Sequence, residues 1–174
     1  VFYYRPLGEG FSSFDFGFGV ELSKAMRGTS YIGFNTFQPS DNPFEAGNLV
    51  ANWLSVVNLG SSSAEFTVSK YNAAGVVLSS ETKNIASLSL MDLDGGHIDP
   101  GPQNVGLLKV TPRSSQTPYL AQLMRYGYGS AGDFDFAFPL IAVFGRQKIY
   151  APISSMAGIQ NWLEVVNVSE GSAD

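Results

Sequence analysis

Acidic residues alternate around a glycine turn in Asp92-Leu93-Asp94-Gly95-Gly96-His97-Ile98-Asp99. Oxygen ligands spaced in this way suit Ca²⁺, so Asp92, Asp94 and Asp99 form a candidate Ca²⁺ site. The match to an EF-hand loop is partial, because a third alternating acid and a terminal bidentate Glu are missing. A tight Asp-Gly turn between two strands accounts for the same residues without a metal. Two Arg–Asp sets are also notable. Arg5 precedes Phe14-Asp15-Phe16 by nine residues, and Arg125 precedes Phe134-Asp135-Phe136 by the same nine. Either set could act as an acid–base pair toward a ligand, or as a bidentate clamp between adjacent strands. Its duplication favours the clamp. Trp53 and Trp162 could stack on a sugar ring or fill a core, and repetition at one position favours the core. Tyr126 and Tyr128, with Tyr3, Tyr4 and Phe11, lie near Gly-rich loops and are the candidates for exposed, glycan-contacting aromatics. Asn58 and Asn167 are expected to cap turns through their side chains. Asn167-Val168-Ser169 is also an acceptor pattern for N-glycosylation in a eukaryotic secretory setting.

Composition narrows the chemistry further. The 174 residues include 10 Lys plus Arg, 15 Asp plus Glu, one His and no Cys, for a net charge of −5. Absence of Cys removes disulfides, thiol catalysis and thiolate metal sites, and one His leaves at most one imidazole base. Ten scattered cations in an acidic chain do not make a nucleic-acid surface. The motifs G-x-S-x-G, the P-loop and G-x-G-x-x-G are absent, so an enzyme is not expected; a glycosidase-type carboxylate pair is the residual catalytic option. The first residues carry neither a basic n-region nor a long apolar run, and the longest apolar stretch, 138–144, is too short to span a bilayer. A soluble piece, mature or excised, without membrane insertion is expected. Low Lys and abundant Ser, Gly and aromatics suit a bacterial extracellular setting.

The elements that must position these residues are organised by a repeat. Asn52-Trp53-Leu54-Ser55-Val56-Val57-Asn58 returns 109 residues later as Asn161-Trp162-Leu163-Glu164-Val165-Val166-Asn167, while the Phe-Asp-Phe block returns after 120. The difference of 11 places an insertion in the first copy, within the turn-rich stretch 39–47. Two blocks in the same order, with an Arg in register, point to a tandem repeat of about 110–120 residues. Its phase divides the chain into residues 1–30, the end of one repeat; 31–140, a complete unit; and 141–174, the start of the next. The alternative is a single module over 1–174.

Within that unit the pattern is β. Phe66 and Val68 alternate with Thr67 and Ser69 over 65–71, and Asn72-Ala73-Ala74-Gly75 ends the run. Short β-prone runs follow at 76–78, 87–93, 105–111 and 119–126, separated by Gly, Pro and Asp turns. An all-β antiparallel sandwich, Ig-like in the broad sense, is the predicted fold.

A strand ending Val56-Val57-Asn58, a small-residue turn, and then Phe66-Thr67-Val68 with Tyr71-Asn72 and Gly75 resembles uncharacterised β-sandwich modules repeated in bacterial cell-surface and secreted proteins. Residues 107–112 and 119–126 extend the resemblance over roughly 31–140. It implies a non-catalytic structural or adhesive module, a spacer, filament or attachment unit on the cell surface. Its partners would be neighbouring repeats or subunits joined through strand edges. A carbohydrate-binding module is the alternative.

Overall fold

The computed structural model describes residues 2–6, 14–19, 24–36, 49–94, 104–128, 134–143 and 165–169. Ten strands run through them: β1 (Phe2–Pro6), β2 (Phe14–Gly19), β3 (Ser30–Asn35), β4 (Leu49–Asn58), β5 (Ala64–Asn72), β6 (Val77–Ile85), β7 (Leu90–Asp94), β8 (Val105–Pro112), β9 (Tyr119–Tyr128) and β10 (Phe134–Ile141). All pairings between strands are antiparallel. One sheet has the order β3-β8-β5-β6, the second β10-β9-β4-β7, and among the described residues β1 and β2 form a separate pair. The fold is a β-sandwich.

Side-chain alternation decides which face each strand buries. In β5, Phe66, Val68 and Lys70 are buried while Thr67 and Ser69 are not. In β8 the buried set is Leu108, Val110 and Pro112; in β9 it is Tyr119, Ala121, Leu123 and Arg125. The apolar members of these sets meet Ile32 and Phe34 from β3 and Leu54 and Val56 from β4 in one core between the sheets. Each fully buried aliphatic contributes about 1.5–3 kcal/mol by leaving water. Phe66 and Tyr119 meet edge to face across that core, with ring centroids 5.4 Å apart.

Two backbone bridges close the sandwich sideways. Met26 exchanges hydrogen bonds with Tyr119 at 2.8 and 3.1 Å, and Tyr31 does so with Val143 at 2.9 and 2.8 Å. The second bridge occupies the outer edge of β3. The β5–β6 hairpin turns on Asn72, whose Oδ1 accepts from the Ala74 and Val76 amides at 3.0 and 2.9 Å. Gly75 takes φ +77° there, a conformation that glycine adopts without a Cβ penalty.

Three sequence expectations are corrected. β6 runs from Val77 to Ile85, well beyond the apolar residues 76–78, because an edge strand with most of its residues exposed needs no apolar alternation. β7 starts at Leu90, since Ser87 and Leu88 form the turn that carries the chain from one sheet to the other. Trp53 alternates with the buried Asn52 and Leu54, so it is half-buried on the outer face of β4 with Ser55 and Val57, away from the space between the sheets.

Candidate functional site

The interior of the sandwich is apolar over most of its length, with buried polar groups at both ends and most of them at one. At that end β4 and β8 begin while β3, β5 and β9 finish, as their antiparallel pairing requires. The buried polar and charged residues there are Thr36, Asn52, Lys70 and Arg125. Arg125 and Asn52 face each other in the β4–β9 register. Arg125 Nε donates to Asn52 Oδ1 at 3.3 Å, and Asn52 Nδ2 donates to the Asn35 carbonyl at 3.0 Å. Asn52 thereby ties the second sheet to the first. Next to it, the Thr36 hydroxyl donates to the Asn104 carbonyl at 3.1 Å and accepts from the Asn104 amide at 3.0 Å. Buried amides and cations are tolerated only when bonded in this way, and such networks rigidify the elements that supply them.

Beside this end lies a cleft of about 350 Å³, lined by Tyr31, Leu107, Arg125, Leu140, Val166 and Val168 among others. Its walls are β3, β8, β10 and the segment 165–169. The arrangement supplies hydrogen-bond donors and an apolar wall. Among the described residues no group of three His, Asp or Glu could hold a metal.

The other end of the sandwich is held by Asn58 and Tyr119. Asn58 is 0% exposed. Its Nδ2 donates to the carbonyls of Ser62, Ile85 and Ala86 at 2.9, 2.9 and 3.1 Å, and its Oδ1 accepts from the Gly60 amide at 2.9 Å. One side chain thus fixes the end of β4, the turn into β5 and the crossing from β6 to β7. The Tyr119 hydroxyl has two acceptors within reach of its one proton, the Gly28 carbonyl at 2.8 Å and the Ser30 hydroxyl oxygen at 2.7 Å. Burial pushes the Tyr119 phenol above the ordinary tyrosine range, and the Ser30 hydrogen bond opposes this in part.

The sequence candidates fall as follows. Asp92 is exposed on β7 and accepts a hydrogen bond from Ser55, its register partner on β4. The side chain of Asp94 and all of Asp99 and His97 lie outside the described residues, as do Trp162, Phe11 and the side chains of Tyr3, Tyr4, Tyr126 and Tyr128. Arg125 belongs to the polar end. The side chains of Arg5, Asp15 and Asp135 lie outside the described residues, but their backbone placement is informative. In β1–β2, Pro6 pairs with Phe14 and Arg5 with Phe16, so Asp15 is skipped. In β9–β10, Tyr128 pairs with Phe134 and Gly127 with Phe136, so Asp135 is skipped. Each Asp is the extra residue of a bulge, a feature that bends and twists a strand pair at a set place. The two pairs are not superimposable in register: Arg5 faces Phe16, whereas Arg125 faces Phe138, two positions further along the motif.

Asn167 shares a turn with Asn58. Its Oδ1 accepts from the Ser169 amide at 2.9 Å, as Asn58 Oδ1 does from Gly60 two residues on. The preceding valines differ. Val56 and Val57 sit in the middle of a sheet, whereas Val165 to Val168 form no strand, and Val165 is 83% exposed.

Asn35, Thr36, Asn52 and Lys70 were not singled out from sequence. Lys70 could have been found, because it continues the apolar face of Phe66 and Val68 at the same two-residue spacing.

No family model and no curated protein matches the chain. Among solved structures it is similar to a crystal structure of Thermotoga maritima 1070, with a TM-score of 0.52 and 11% identity over 69% of this chain and 96% of that one. It is also similar to the Anabaena sensory rhodopsin transducer, with a TM-score of 0.40 and 11% identity over 58% and 89% of the two chains. At such identity the first likeness concerns the fold alone.

Proposed function

We propose that the protein is a non-catalytic structural or adhesive module of an extracellular, bacterial tandem-repeat protein, serving as a spacer, filament or attachment unit. The observation that carries this reading is the placement of related segments on either side of one sandwich. The sandwich occupies β3 to β10, from Ser30 to Ile141. Before it stands the β1–β2 pair, which shares with β9–β10 its Arg, its Phe-Asp-Phe sequence and its bulge. After it comes a stretch related to β4, whose described portion, 165–169, has the same Asn turn and is not in a strand. On this reading 31–140 is one unit flanked by segments of neighbouring repeats, and β units of this kind join through their edges. The buried polar network gives the finished unit stiffness, which a spacer needs.

Hydrogen exchange and light scattering on the 174-residue chain test the reading. Expected are slow exchange through β3–β10, faster exchange in β1–β2 and 165–169, and association that grows with concentration. A monomer protected throughout its length would overturn it. A glycan array run beside these measurements separates this module from a carbohydrate-binding one.

A further inference from the structure

We infer that Leu88 of one copy of this chain seats in the apolar cleft of a second copy, joining opposite corners of the sandwich; this rests on the reading of the chain as an associating structural module. Leu88 is the one non-glycine residue with positive φ among the described residues, at +53°, and it is 76% exposed. An exposed apolar side chain is ordinary by itself, but one held there at a backbone cost is not. Strained backbone in a bulky residue collects at functional sites. Leu90, at the start of β7, is 57% exposed, so two leucines stand out from the same corner.

That corner and the cleft lie on different sides of the molecule. β6 and β7 are the last strands of the two sheets on one side, and the chain crosses between them through 86–89 at the Asn58 end. β3 and β10 are the last strands on the other side, and the cleft lies there, between walls that include Leu107, Leu140, Val143, Val166 and Val168. Its volume of about 350 Å³ is at the small end for a ligand site and takes a side chain or two. With β8 and β5 between β3 and β6, Leu88 cannot reach the cleft of its own molecule. Charge sets the orientation. Asp92 is exposed on the same face of β7 as Leu90, about 7 Å further along the strand. Lys109 is the register partner of Tyr31, a cleft residue, and stands one strand spacing, about 5 Å, from it. Leucines seated against Tyr31 bring Asp92 of one copy within reach of Lys109 of the other, and opposite charges at a rim orient association. A knob and a hole on different patches make a heterologous contact, which repeats from copy to copy.

The chain has no cysteine, so introduced thiols report the contact cleanly. Two single variants of the full chain, Leu88→Cys and Val143→Cys, are mixed and oxidised. The expected product is a mixed dimer, formed several-fold faster than from Leu88→Cys with Val76→Cys, a comparably exposed position away from the cleft. In light scattering, Leu88→Gly, which suits the backbone and removes the side chain, should associate several-fold more weakly than the parent. Asp92→Lys and Lys109→Glu should each weaken association, and the two combined in one chain should restore it. Equal cross-linking at Val143 and Val76, or unchanged association of Leu88→Gly, would overturn the inference and leave the module reading standing. A parent that stays monomeric, with fast exchange in β1–β2 and 165–169, would overturn the inference alone. A monomer protected throughout would overturn the module reading with it.

Discussion

Arg125 Nε and Asn52 Oδ1 are 3.3 Å apart, between residues that also face each other across the β4–β9 ladder. A cross-strand pair is thereby made part of the core. Arg125→Met keeps the length of the side chain and removes the donor. It should destabilise the protein by roughly 1–3 kcal/mol, the cost of under-satisfying a buried amide. Arg125→Lys should not restore the loss, because Lys lacks a planar donor at the Nε position. Urea denaturation of both variants and of Asn52→Ala, combined as a cycle, measures the coupling, expected at about 0.5–3 kcal/mol.

Asn58→Ala strands three carbonyls and one amide at once. A loss of about 3 kcal/mol is expected, near the upper end for a single polar residue. A lower urea midpoint with an unchanged slope would show that stability falls without a change in the surface exposed on unfolding. Asn167→Ala, which removes only an exposed turn bond, should stay within about 0.5 kcal/mol of the parent.

Tyr119 gives an alkaline signature. Its phenol is held neutral in the folded state, so its folded pKa lies above the unfolded one. The unfolded chain therefore releases this proton first. The stabilisation is complete below about pH 10 and is lost as pH rises from there through the folded pKa. Tyr119→Phe should lower stability at neutral pH by about 1–2 kcal/mol, by breaking the bonds to Gly28 and Ser30. It should also flatten this part of the alkaline decline. Melting curves between pH 8 and about 11 would show a parallel decline in both proteins if the phenol were not the group concerned.

Gly106 is fixed by space rather than by backbone angle. A Cβ there would stand 2.0 Å from the Tyr71 carbonyl and 2.6 Å from the Phe34 ring, which covers this glycine from the neighbouring strand. Gly106→Ala should cost about 3 kcal/mol through overpacking. Phe34→Leu should relieve part of that cost when combined with it, while each single variant remains destabilised. Thermal melts of the three proteins provide the comparison.

Leu88 has φ +53° and is 76% exposed. A bulky side chain in the left-handed region costs about 1–2 kcal/mol, and this one recovers little by burial. Leu88→Gly should raise stability by up to about 1 kcal/mol, the greater freedom of glycine in the unfolded chain offsetting part of the relief. A fall in melting temperature would mean that the exposed leucine makes a contact worth more than its strain.

The strands with one buried face were readable from sequence because period-two alternation is strong there: 65–71 against β5, 105–111 against β8 and 119–126 against β9. β6 was truncated in that reading because Ser79, Ser80, Glu81 and Thr82 belong to an exposed edge, where burial imposes no pattern. Trp53 misled for a related reason. Size and repetition suggested a core anchor, but its neighbours Asn52 and Leu54 occupy the inward positions. Asn52 and Lys70 were passed over because polar residues at inward positions break the alternation used to find strands. Their role depends on partners in other strands, such as Asn35, which a local pattern does not contain.

The edge strand β6 sets a direction on any assembly of these chains. Lys83 and Glu81 are paired at 3.0 Å along it, and an incoming strand would have to strip water from that ion pair. At the opposite margin of the same sheet, Val143 already occupies β3. Growth sideways from this sheet is discouraged at both margins. An assembly of these chains would therefore have to meet through faces and ends, since extending this sheet from copy to copy is blocked on either side.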